Sequence, residues 1–79
     1  MRNIRDMGYK FIGVLPYSGA EVWRKGSRWA VIFLDNAKDN AKTMVEFIDE
    51  VEAYNFGEKL EQKYYAIYQG WATREDFNN

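Results

Sequence analysis

The chain contains no cysteine and no histidine, and its one proline is Pro16. Without cysteine there is no disulfide framework and no thiolate zinc site, which fits a reducing compartment. Without either residue, the usual general bases and soft nucleophiles of catalysis are missing. Ser18 and Ser27 both fall beside glycine in turn-like stretches, and no imidazole exists to activate them. Gly8, Gly13, Gly19 and Gly26 have the wrong spacing for either nucleotide-binding fingerprint. No apolar run approaches the roughly 18 residues that span a bilayer. The basic start, Met1 to Asp6, has no apolar stretch behind it, so no secretory signal is visible. These absences lead to the expectation of a cytoplasmic, non-enzymatic chain without metal, cofactor or membrane partner.

What is present is aromatic and asymmetrically charged. The 79 residues are 47% hydrophobic and 18% aromatic, enough large rings to give one small domain a core. Such a number of rings cannot all be hidden in so small a body, so some are expected at the surface. The net charge of −1 conceals a division. Arg2, Arg5, Lys10, Arg24, Lys25 and Arg28 face only Asp6 and Glu21 in residues 1–28, whereas residues 29–79 carry ten carboxylates against five basic groups.

The pattern of residues predicts an α+β domain spanning 1–79. Asn3 to Met7 suits one or two helical turns closed by Gly8, a short N-terminal helix. Tyr9–Leu15, Ala20–Lys25 and Arg28–Leu34 read as strands of an antiparallel meander. They are joined by Pro16-Tyr17-Ser18-Gly19 and by a two-residue loop at Gly26-Ser27. That loop pairs Lys25 with Arg28, Arg24 with Trp29, Trp23 with Ala30 and Val22 with Val31. The four-residue loop pairs Leu15 with Ala20 and, further along, Ile12 with Trp23. One sheet face then reads Phe11, Gly13, Leu15, Ala20, Val22, Trp29, Val31, Phe33 and is assigned to the core. Asp35 to Asn40 is a polar loop with several possible N-caps. Two main helices follow on that core face, Ala41 to Tyr54 and Glu58 to about Gln69, with Asn55-Phe56-Gly57 as the break. Thr73 is the N-cap expected for a final short turn.

A short helix, a three-stranded meander and a helix resemble the layout of double-stranded-RNA-binding domains and of HicA-type ribonuclease toxins. The resemblance covers about the first 54 residues. Lys25-Gly26-Ser27 is similar to the Gly-Ser-His step of the toxins, but Arg28 stands where their histidine would be. The resemblance implies RNA as a ligand class, and the missing histidine removes the implied nuclease.

Two surfaces are candidates for function. Glu46, Asp49, Glu50 and Glu52 would crowd one side of the first helix, giving an acidic docking surface for a basic groove. This manner of binding resembles that of small phage anti-defence inhibitors such as anti-CRISPRs, and it implies a viral protein that occludes a larger nucleic-acid-handling partner. The rival surface is the outer sheet face, with an exposed Trp23 beside Ile12, rimmed by Lys25, Arg28 and Lys10. That patch suits a protein or homodimer contact, or stacking of a nucleic-acid base; a cover supplied by the N-terminal segment would leave it purely structural. The sequence pI near 5.4 weighs against nucleic acid. Arg24 against Trp29 is expected to be a structural cation–π pair. Tyr65, off the core stripe of its helix, is a further candidate contact.

Overall fold

Gly26, at φ +60°, supplies the left-handed residue that a two-residue loop requires, and Lys25 pairs directly with Arg28 across it. The strands on either side are β2 (Glu21–Lys25) and β3 (Arg28–Asp35), and their register is the one expected from the sequence. The structure, a computed structural model, describes residues 4–35 and 41–70. It is a small α+β fold: a four-stranded antiparallel sheet in the order β1-β2-β3-β4, followed by one helix. Of the expected polar loop, Asp35 ends β3, and residues 36–40, like the Thr73 cap, lie outside the described residues.

β1 (Lys10–Val14) departs from the expected pairing at one residue. Val14 and Gly13 oppose Glu21 and Val22, in line with the Leu15–Ala20 pairing at the turn, where the Leu15 N–H donates to the Ala20 carbonyl over 2.8 Å. Beyond Gly13 the ladder slips, so that Phe11 opposes Trp23 and Ile12 is the extra residue of a β-bulge. Ile12 therefore does not pair with Trp23. Phe11, expected in the core beneath the helix, instead sets its ring edge-on to Trp23 with centroids 5.3 Å apart.

The second departure is larger. Residues 41–47, expected as helix, form β4 (Ala41–Phe47) along the free edge of β3. Met44, Phe47, Ile48, Val51 and Tyr54 do recur at helical spacing, but the same stretch alternates. Thr43, Val45 and Phe47 are half-buried while Lys42, Met44 and Glu46 are exposed. Trp29, Val31 and Phe33 of β3 offer a facing row, opposite Phe47, Val45 and Thr43 respectively. Cross-strand packing of β-branched and aromatic side chains on that row outweighs the local helical pattern.

The helix, α1 (Glu50–Tyr68), begins only after β4. Asp49 is its N-cap, its side chain accepting from the Val51 N–H at 2.7 Å, with Glu50 and Glu52 in the first turn. Both effects favour a start here, since the carboxylates oppose the positive end of the helix dipole. α1 runs straight through Asn55-Phe56-Gly57, so one helix replaces the two expected. The expected short N-terminal helix is a single turn at residues 4–8. The Gly8 N–H donates to Arg5 O and the Tyr9 N–H to Ile4 O, with Gly8 at φ +94°, a helix-ending Schellman pattern without a helix before it.

Each sheet face has its own apolar cluster. α1 buries Ala20, Val31 and Leu60, with Leu15, Phe33, Phe47, Phe56 and Tyr64 around them. The opposite face holds Trp23 and Ala30 beneath Ile4 and Tyr9 of the N-terminal strap.

Candidate functional site

Trp23 was the centre of the expected exposed patch, and it is only 5% exposed. The strap covers it: Ile4 and Tyr9 pack against it, and the Arg5 guanidinium lies 5.2 Å from its ring centroid. Its indole N–H donates to Glu21 over 3.0 Å, so its polar atom is also satisfied. The neighbouring cations are similarly engaged. The Lys25 ammonium donates to the Met7 carbonyl at 2.8 Å, and Arg28 pairs with Glu46 at 3.4 Å. Of the expected patch, Trp23 thus belongs to a strap-covered second core, Lys25 and Arg28 stand exposed at its rim, and Ile12 lies outside it on the edge strand.

The acidic group is also redistributed. Glu46 lies on β4, on the strap face, where it accepts from the Tyr9 hydroxyl at 3.0 Å as well as from Arg28. Burial first, and then the Glu46 carboxylate, raise the Tyr9 phenol above its ordinary pKa. Asp49 is occupied as the N-cap. Glu50 and Glu52 share the first turn of α1, but at about 100° per residue they point some 200° apart. No single face carries all four carboxylates.

A site that sequence reasoning missed lies on the other side of the sheet. α1 packs over β3 and β4 and leaves the β1–β2 half open along its flank. A groove of about 450 Å³ results, lined almost wholly by apolar atoms. Leu15, Val22, Trp29 and Val31 form its floor, and Ala53, Tyr54 and Gly57 its helical wall. Three carboxylates, Glu50, Glu58 and Glu61, stand along the helical rim. Glu50 and Glu58 are exposed. Glu61 is held in place, accepting from the Tyr17 N–H at 2.9 Å and from the Ser18 hydroxyl at 3.2 Å, which fastens the β1–β2 turn to the helix. At the other end the Arg24 guanidinium rests 5.0 Å from the Trp29 ring centroid, the cation–π pair expected from the sequence.

Gly57 shapes this groove. It is helical, and a Cβ built on it would stand 3.4 Å from Leu15 Cδ1 and otherwise meet nothing within 4 Å. Tyr65 lies edge-on to Tyr17 with centroids 4.9 Å apart, so this candidate contact residue is half-buried against the β1–β2 turn. Tyr68, near the end of α1, is 76% exposed. The signal for the groove was present only in part: Glu50, Tyr54, Gly57, Glu58 and Glu61 share one helical side, but only if the helix is continuous.

Among the described residues, no three carboxylates converge as cation ligands, and no helix is long and apolar enough to cross a membrane. Compared with protein-family models, curated proteins and solved structures, the chain matches none.

Proposed function

We propose that this chain is a non-enzymatic protein-binding domain that modulates or occludes a larger partner, and that it does so through the acid-rimmed groove beside α1. One observation carries the reading: an apolar trough of about 450 Å³ runs directly beneath exposed Glu50 and Glu58. An apolar centre with a polar rim, on which three carboxylates outnumber Arg24, is the anatomy of a protein contact. Its sign selects a basic partner and speeds the encounter with it. A nucleic-acid-handling protein fits that description, because carboxylates on a rigid helix can occupy a surface that otherwise takes phosphates; an inhibitor of the anti-defence kind is one form of this reading. Direct nucleic-acid binding finds less support, since Trp23 is covered and Lys25 and Arg28 are engaged internally.

The test is a pair of full-length proteins, the natural chain and Glu50→Gln/Glu58→Lys. A partner captured from the source lysate is identified, purified and titrated with each by calorimetry. Affinity should fall at least tenfold in the double variant, while its melting temperature changes by only a few degrees. Equal affinity for both proteins would remove the groove from the reading.

A further inference from the structure

We propose that the groove accepts one apolar side chain presented by an extended partner segment with a lysine or arginine two residues to either side. This rests on the protein-binding reading above and specifies its occupant. The spacing comes from the rim. Glu50 and Glu58 are eight residues apart, about 12 Å along the helix axis and about 80° around it, a sideways offset that long lysine or arginine side chains can reach across. An extended chain advances about 3.3 Å per residue, so positions i and i+4 span roughly 13 Å. Alternate side chains of such a chain point the same way, so position i+2 projects between the two cations and toward the floor. A small ligand of a few atoms cannot meet both carboxylates at that separation.

The floor beneath position i+2 is Val22, Trp29 and Val31, all apolar at the point of entry. Gly57 adds an independent argument. Its φ is not in the left-handed region, so the backbone does not require glycine there. In a helix interior it costs about 1 kcal/mol against alanine. A Cβ at this position would enter the groove mouth toward Leu15. The missing side chain therefore sacrifices helix stability and leaves a deeper trough.

The experiment uses the full chain, uniformly labelled with nitrogen-15, and three synthetic peptides followed by two-dimensional amide spectra. The first peptide is acetyl-Gly-Lys-Ser-Phe-Ser-Lys-Gly-amide; the second has serine for phenylalanine, and the third glutamate for both lysines. The first should shift the Trp29 indole and the Ala53 and Gly57 amides saturably, with the other two at least tenfold weaker. Gly57→Ala should weaken the first peptide several-fold while leaving the protein folded by the dispersion of its spectrum. Equal shifts from all three peptides, shifts centred on Trp23, or none at millimolar peptide would overturn the proposal. Shifts of the same groove residues on concentrating the protein alone would also overturn it, by making a second copy the occupant. If the peptides fail while Glu50→Gln/Glu58→Lys still loses the captured partner, the occupant is wrong and the protein-binding reading stands.

Discussion

The two faces of one sheet are covered in opposite ways. On one, a strap of six residues, Ile4 to Tyr9, closes over Trp23 and leaves the indole almost no water. On the other, a helix of 19 residues covers the β3–β4 half and the β1–β2 turn, and leaves a trough beside it. Neither cover is complete: outside the strap, Phe11, Val14, Leu34 and Met44 of its face stay exposed. A helix is a cylinder about 10 Å across, whereas four strands at ~4.8 Å spacing make a wider floor. The strap follows a single ring closely and leaves the rest of its face to solvent. The lesson is that the strap closes a core only around Trp23 and Ala30, with the exposed apolar residues of its face spread over β1, β3 and β4, whereas the helix face gathers accessible apolar surface into one trough.

Substitutions can break this contrast. Trp23→Ala should lower unfolding free energy by about 3–5 kcal/mol, the cost of a large cavity in a closed core. Denaturant titration would measure it, and a loss below 1 kcal/mol would mean the strap is not packed. Leu60→Ala, on the helix side, should cost about 2–5 kcal/mol, toward the lower end because the adjoining trough lets its neighbours relax. Asp49→Ala should cost about 1 kcal/mol by removing the N-cap, with helical circular dichroism lost before sheet signal.

Tyr9→Phe tests the strap more finely. The phenol is raised above its ordinary value near 10, so its contribution is present below that pH and is lost as pH rises beyond it. The natural chain should therefore lose stability above about pH 10 more steeply than Tyr9→Phe. Near neutral pH the two should differ by about 1 kcal/mol, the worth of one hydrogen bond. Melting curves taken across that range would compare the slopes; identical slopes would mean Tyr9 ionises as freely in the fold as in the unfolded chain.

The parts of the fold legible in sequence are those fixed by local backbone chemistry. Gly26 marked a two-residue loop, and the β2–β3 register with its Arg24–Trp29 pair followed from counting outward. Gly8 marked the end of the first turn for the same reason. Residues 41–47 were misread because helical and alternating apolar patterns coincide there, and only the open edge of β3 decides between them. Asp49, Glu50 and Glu52 were read as a surface cluster, although a cap followed by first-turn carboxylates also signals where a helix begins. Gly57 was taken as a break, but glycine is tolerated mid-helix at modest cost. The groove depended on both corrections, so its rim of Glu50, Glu58 and Glu61 was invisible until α1 was continuous. For Trp23 the sequence left exposure and cover by the N-terminal segment both open, and the structure takes the second, because only the folded strap brings Ile4 and Tyr9 onto the ring.

The unpaired residue at Ile12 has a bearing on how these molecules behave in a crowd. β1 is an outer strand, and Phe11, Ile12 and Val14 are all substantially exposed on it. A straight outer strand with that composition would be a template on which other sheets could grow. The extra residue kinks the ladder and spoils the regular spacing of free amide and carbonyl groups. Removing Ile12 would restore an even ladder while keeping Phe11 opposite Trp23 and Gly13 opposite Val22. The shortened protein should keep its fold and aggregate at lower concentration than the natural chain, which light scattering against concentration would show.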